Sequence, residues 1–381
     1  MSLAFDRFKH HVKVLIGQRL AAVLTRRYLQ HRGPAKRMIS GFADNALDIE
    51  RHVETFSVAQ PFAPAASMSE DTDQEYRNLL LSGDAYTTDQ AGVLTVRDAD
   101  VSLPVSMHSI MGFVIQEAMP APYVLTNPKY YGELLSLRLK RKKQMREGVL
   151  LSMPWAHKFY HWMIDFLPRL MLYDRYSHLQ DVPIIVPKSA PKFVAESIRL
   201  AGYLPKVTFL EDGAYRFGKL HLLSRLAHAE YVCPEAICWL NEKLSTAASS
   251  SVFAKRLYIS RRDAKIRFVS NEHELLDVLS EFGFEVVTMS GRPLPDQIRM
   301  FQTAECIVGP HGAAFSNLAF TTPGTIFIEF FCRGHFCRCF NLISGIRKLR
   351  YGFLVGDPTS MGGFSIQPFQ LRAALSSLLR S

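Results

Sequence analysis

Apolar and polar positions follow two different periods along this chain, and the change of period marks its parts. Between residues 4 and 32, Phe5, Phe8, Val12, Leu15, Ile16, Leu20, Val23, Leu24 and Tyr28 recur mostly at three- and four-residue steps. This is the repeat of a helix with one apolar stripe. Its other faces carry Arg7, Lys9, Lys13, Arg19, Arg26, Arg27 and Arg32. Such a helix either packs its stripe on a protein core or lies on an anionic membrane, and the pattern allows both. The period is lost over residues 57–75, where Pro61, Pro64, Ser67, Ser69, Glu70, Asp71 and Asp73 mark a linker or mobile loop. Beyond it, β-type runs at 92–96 and 111–116 predict strands.

From residue 148 to 226 the two periods alternate. Residues 149–153, 182–187 and 206–210 read as strands, 160–176 and 190–201 as helices, and 234–250 as one long helix. After residue 252 the alternation restarts more cleanly. Strands are expected at 256–260, 284–289, 305–309 and 325–331, with helices at 272–282, 295–303 and 313–319. Ser270 is placed to cap the first of these helices. Four strands alternating with three helices predict a parallel sheet of right-handed βαβ units. The expected organisation is a helix and linker over 1–85, an α/β domain over 86–250, a second over 251–365, and a terminal helix over 366–381 placed to cross back to the N-terminal domain.

Composition narrows the function. A chain of 381 residues holds two or three domains at roughly 150 residues each. No run approaches the ~20 apolar residues needed to span a bilayer. Asp6, Arg7, Lys9, Lys13 and Arg19 interrupt the start too often for a secretory signal. A cytoplasmic protein is expected, soluble or peripheral on the inner membrane. The net charge of +10 favours a polyanionic partner: a nucleotide diphosphate, an anionic membrane surface or a nucleic acid. The last lacks any recognised motif here and is not expected. Six cysteines without a Cys-x-x-Cys pair argue against a disulfide framework. Cys332, His335, Cys337 and Cys339 form a local cluster too crowded for paired zinc knuckles, so structural thiols are expected in preference to a metal site.

Four constellations carry candidate chemistry. In the first, the apolar run Cys306, Ile307, Val308 leads into Gly309, Pro310, His311 and Gly312 and then a helix. A helix N-terminus at a strand's carboxyl end suits a diphosphate. Gly309 and Gly312 let the backbone approach it. His311 is placed to donate to a phosphate oxygen or a donor hydroxyl, and Asn317 to brace the loop. An ordinary βα turn has the same form. In the second, the apolar strand through Leu257, Tyr258 and Ile259 ends at Ser260, Arg261, Arg262 and Asp263, with Lys265 and Arg267 beyond. Guanidinium forks match phosphate; a basic surface turn is the alternative.

The third lies at 159–169, where His161 and Asp165 stand four apart and share a helix face. Either can take a proton from an acceptor hydroxyl, Asp165 can orient the imidazole, or the pair is half a metal site. A structural core pair fits the spacing equally well. The fourth is Glu329, a carboxylate near a strand end that can accept from ribose hydroxyls or sit exposed at an edge. The acidic pair Asp98 and Asp100 reads as a surface turn. The acid-free stretch 138–146 reads as a solvated turn or a contact for an anionic acceptor or lipid.

Taken in order, these segments resemble glycosyltransferase family 61, the DUF563 group. Tyr160, His161, Trp162, Asp165, Leu167, Pro168 and Arg169 look like its histidine–aromatic–Leu-Pro-Arg signature. Ser260 and Arg261 with Arg267, Asn271 and Glu272 are similar to a second block. Gly309, His311, Gly312, Ala313 and Asn317 resemble a third, and Pro323, Gly324, Thr325 and Glu329 a fourth. The resemblance runs from about residue 150 to 331. It implies a GT-B fold of two Rossmann-like domains facing a cleft, with 86–250 on the acceptor side and 251–365 holding the donor. It implies an inverting transfer from a UDP-sugar to a glycan, polysaccharide or lipid-linked acceptor, without a metal or other cofactor. The bacterial, capsular-polysaccharide branch is the closer fit. His161 or Asp165 is then the expected base. Arg261, Arg262, Lys265, Gly309, His311, Gly312, Asn317 and Glu329 are the expected donor-binding residues. A nucleotide-sugar-binding protein without catalysis is the alternative.

Overall fold

The computed structural model describes residues 91–104, 137, 139–152, 154–228, 231–360 and 362–379, with the short strands Met38–Ile39, Ile49–Glu54, Met107–Ser109 and Val114–Ile115. The expected helix at 4–32 and linker at 57–75 lie outside the described residues.

Two sheets organise the chain. The first contains β1 (Ile49–Glu54), β2 (Ala91–Leu103), β3 (Lys143–Leu150), β4 (Ile184–Pro187), β5 (Val207–Leu210) and β6 (Gly213–Leu223), in the order β1-β2-β6-β3-β4-β5. Strands β6, β3, β4 and β5 pair parallel, while β1 and β2 add antiparallel. The sheet is therefore mixed, parallel through β6, β3, β4 and β5 and antiparallel at one side. Its centre reads as an apolar run, because Val149, Leu150, Ile184, Ile185 and Val186 are covered on both faces. Gly148 belongs to this packing: a Cβ there would stand 2.7 Å from Ile185 Cγ1 and 2.9 Å from Phe217. Asp98 and Asp100 lie inside β2 and form no surface turn. Asp98 has φ 52°, and the register with β6 runs unchanged across it, from Arg97 opposite Lys219 to Ala99 opposite Phe217. Asp100 holds Arg216 at 2.8 Å and Lys142 at 3.5 Å.

The second sheet contains β7 (Arg256–Ile259), β8 (Glu285–Val287), β9 (Cys306–Pro310), β10 (Ile326–Cys332), β11 (Arg350–Pro358) and β12 (Phe364–Ser365), in the order β8-β7-β9-β10-β11-β12. All neighbours pair parallel except the last. The four expected strands are present, and β11 is a fifth parallel strand beyond them. Its helices include α4 (Glu272–Glu281), α5 (Leu294–Thr303) and α6 (Cys339–Ile346). Asn271, and not Ser270, precedes α4, and no side chain caps it; Ser270 Oγ bonds Thr359 Oγ1 at 2.8 Å.

The first unit supplies α1 (Leu170–Arg175), α2 (Lys192–Leu200) and α3 (Pro234–Leu244). One apolar cluster runs through both units, from Val149 and Ile184 to Ile259, Ile298 and Phe327. Polar contacts stitch the join: Asn241 Nδ2 donates to Ala319 O at 2.9 Å and Leu294 N to Glu196 Oε1 at 3.3 Å. Among the described residues no helix is long and apolar enough to cross a membrane.

The terminal helix α7 (Pro368–Leu379) does not return to the first unit in the described structure; it packs on α4. Leu371, Ala374, Leu375 and Leu378 share one apolar cluster with Leu275, Val278 and Leu279, and Arg372 pairs with Glu281. Leu375→Ala should cost roughly 2–5 kcal/mol in urea unfolding. Phe369→Ser, on the exposed side of the same helix at 66% exposure, should be nearly neutral. Equal effects would contradict this packing.

Candidate active site

Strand order selects the place. β7 lies between β8 and β9, so the chain leaves β7 toward one edge and returns on its other side. In open α/β sheets a crevice opens at the carboxyl ends of the strands at such a reversal. The loops after β7 and β9 meet there, and two glycines make the meeting possible. A Cβ on Gly309 would stand 2.6 Å from Ile259 O, and one on Gly312 would stand 2.1 Å from Arg261 Nη1. The Arg261 guanidinium therefore lies directly over Gly312, in space that a side chain would fill.

This guanidinium is under-satisfied. Its Nη2 donates to Ile266 O at 3.3 Å, while its Nε is buried without an acceptor. Arg267 Nε is buried and unpartnered as well, and Arg267 Nη1 meets His335 Nε2 at 2.7 Å. Burial draws the Arg261 pKa down from its ordinary value, and the nearby Arg267 adds to this. The group stays protonated all the same. A desolvated cation with a donor aimed at no acceptor is the electrostatic form of an anion site. His335 is held below its usual value by burial, then by Arg267 and His311.

The crevice has a volume of about 740 Å³, and both units line it. Ser260, Arg261, Gly312, Ala313 and Ala314 face Phe159, Lys192, Phe193 and Glu196, with Ser290 and Arg292 at one side. A volume of this size accommodates a nucleotide-sized ligand. Ala313–Phe320 forms a 3₁₀ helix, tighter than the α-helix expected, with its first N–H groups at the crevice. Arg262 and Lys265 are exposed and do not line it. Lys192, Arg292 and the Phe159–Phe193 ring pair, whose centroids are 5.3 Å apart, line the crevice without a motif in the sequence to mark them. The available signal was position: Lys192 opens the helix that follows the carboxyl end of β4.

Three expected donor contacts have other partners. Glu329 is fully buried inside β10, opposite Gly309, so it cannot reach a ribose. Its Oε1 takes His311 Nδ1 at 2.6 Å and its Oε2 accepts from Tyr351 OH at 2.9 Å. The His311 ring does not line the crevice; it packs on Phe331 and Phe340, at 5.6 and 5.1 Å. Asn317 is fully buried and braces the loop, its Nδ2 donating to Gln297 Oε1 and Ala314 O, each at 2.9 Å.

The other candidate segment, expected as one helix over 160–176, has three forms. His161–Phe166 is a π-turn, Leu167–Arg169 a 3₁₀ turn, and only Leu170–Arg175 is α-helical. Pro168 lacks the N–H that would continue a regular ladder, and π-turns recur at functional sites. Asp165 is buried and committed to Arg169, whose Nη2 lies 2.8 Å from both carboxylate oxygens. Arg169 Nη1 donates onward to Leu223 O at 3.1 Å, tying the turn to the end of β6. His161 is half-buried, its ring 5.0 Å from that of Trp155. Trp155 has φ 82°, a strained value for so bulky a residue.

The thiols are rearranged as well. None of the six cysteines is in a disulfide. Cys332 Sγ faces Arg333 O at 3.6 Å, and His335 is engaged by Arg267. Among the described residues, three metal-competent groups converge: His311, Cys337 and Cys339, whose ligand atoms lie within 4.8 Å of one another. A hydrogen bond from Cys339 pushes the Cys337 thiol down to about 7, with burial opposing it.

Asp165→Asn should lower stability by roughly 3–5 kcal/mol, because it leaves Arg169 buried without its counter-charge. Equilibrium unfolding reads this directly. An Asp165→Asn protein as stable as wild type but without turnover would restore Asp165 as the base.

A search of curated proteins finds no match. Residues 159–328 match the family model Glycosyltransferase 61, a stretch that begins beside the π-turn and ends in β10. The match covers Asp165–Arg169, Arg261 and the loop through Gly312, and it supports family 61 and a glycosyltransferase activity in general.

Proposed function

We propose that this protein transfers a sugar, with inversion, from a nucleotide diphosphate donor of the UDP-sugar class to a hydroxyl of a glycan, polysaccharide or lipid-linked acceptor. The observation that carries this reading is the Arg261 guanidinium over Gly312, with a buried Nε that lacks an acceptor. A diphosphate in the crevice supplies that acceptor. Arg261 and the first N–H groups of Ala313–Phe320 take its oxygens, and Arg267 strengthens the field behind them. Charge that develops on the leaving diphosphate is thus met by fixed donors in a site already desolvated. Guanidiniums in this position do the work that a bridging cation does elsewhere, so the transfer is expected to need no metal.

Transfer is a single in-line displacement at the anomeric carbon. The acceptor oxygen forms the new bond and loses its proton as the bond to the diphosphate breaks. His161 is the base in this reading, since Asp165 is occupied by Arg169. Phe159, two residues before His161, lines the crevice and brings that turn to its wall. Glu329 and Tyr351 hold His311 and so fix the loop between Gly309 and Gly312. A cytoplasmic enzyme of polysaccharide assembly, peripheral on an anionic membrane, fits the basic character of the chain.

UDP should raise the melting temperature, and UDP release from a UDP-sugar in the presence of an acceptor should be measurable. His161→Ala should keep the UDP-induced shift and lower turnover by roughly 10²–10⁴-fold. Full turnover in His161→Ala would refute the base. A UDP-induced shift without UDP release from any donor and acceptor would instead indicate a binding protein.

A further inference from the structure

We infer that His311, Cys337 and Cys339 form a binding site for a soft divalent ion of the zinc type, behind the wall of the crevice. Two thiols and an imidazole are the donor set that selects such an ion over magnesium or calcium. Their ligand atoms already lie within 4.8 Å of one another. In a tetrahedral site with bonds of ~2.3 Å to sulfur and ~2.0–2.1 Å to nitrogen, ligand atoms stand roughly 3.5–3.8 Å apart. The three groups therefore need to close by no more than roughly 1.0–1.3 Å to reach that geometry.

Three further observations point to the same place. Glu329 occupies His311 Nδ1 at 2.6 Å and is itself held by Tyr351, so the ring is fixed and Nε2 is the nitrogen left to ligate. A carboxylate behind a ligating histidine is the usual support of such sites. The Tyr160 hydroxyl is buried beside Cys339 without a hydrogen-bonded partner of ordinary geometry, leaving an oxygen, or a water next to it, for the fourth position. The third is charge. A divalent ion with two thiolates and the Glu329 carboxylate would carry one net negative charge, and Arg338, next to both cysteines in the chain and 2% exposed, is a buried cation on the same segment.

The ion would be structural. It would join the loop before α6 to the loop after β9 and, through Tyr160, to the π-turn of the first unit. It takes no part in the transfer, and the inference stands independently of the glycosyltransferase reading.

The test is metal content in the full chain, expressed in zinc-supplemented medium and purified without chelator. Wild type should hold one zinc ion per chain by elemental analysis, and Cys332→Ser should keep it. Cys337→Ser and Cys339→Ser should lose it. Because these variants can also fold poorly, Co²⁺ is titrated into wild-type protein from which metal has been removed. Thiolate-to-cobalt charge transfer with tetrahedral d–d bands is the expected spectrum. A folded wild-type chain that neither retains zinc nor shows these bands overturns the inference, and so does a double cysteine variant that keeps the full zinc content. UDP binding is read separately by thermal shift, so failure of the metal site and failure of the donor site are distinguishable.

Discussion

The guanidinium of Arg261 resting on the bare backbone of Gly312 is the contact on which the site depends. It requires three things at once. The strand order must reverse between β7 and β9, so that their two loops meet. No side chain can stand at position 312, because its Cβ would lie 2.1 Å from the guanidinium. The crevice must also be closed enough to strip water from Arg261, which lowers its pKa and leaves its Nε without an acceptor. A cation held in this way is costly alone and strongly favourable beside an anion.

The rest of the second unit supports that contact from beneath. Gly309 lets β9 approach the Ile259 carbonyl, Glu329 fixes His311 from inside the sheet, and Asn317 pins the 3₁₀ helix to Gln297 of α5. The first unit contributes the opposite wall. Its turn at 161–169 is held by a buried ion pair, Asp165 with Arg169, that reaches to the end of β6. Removing one partner of such a pair costs more than the pair itself contributes. Its value here lies in fixing an irregular turn that carries His161.

Much of this was legible in the residues. The second sheet followed from unbroken apolar strands between helical periods, and its boundaries fell within a residue or two. Gly309 and Gly312 were readable as close-approach positions, although not what approached them. Other features were hidden by pairings that spacing leaves ambiguous. Asp165 has His161 four residues before it and Arg169 four after. A permanent charge competes better for a buried carboxylate than an imidazole does, so Arg169 takes it. Glu329 sits between Ile328 and Phe330 in a strand apolar on both faces. That context marks a buried acid needing an internal partner, and the register with Gly309 supplies His311 as that partner. The long β6 was obscured by Arg216, Gly218 and Lys219, which break its apolar pattern. No local pattern could join His311 to Cys337 and Cys339, because the fold alone brings them together.

Diphosphate binding falls to one arginine of an adjacent pair, and titration calorimetry of UDP against Arg261→Ala and Arg262→Ala separates the two. Loss of charged hydrogen bonds to the diphosphate should weaken binding to Arg261→Ala by roughly ten- to hundredfold. Arg262, exposed and outside the crevice, should leave affinity almost unchanged when replaced. Equal losses in the two variants, or a loss confined to Arg262→Ala, would contradict the account.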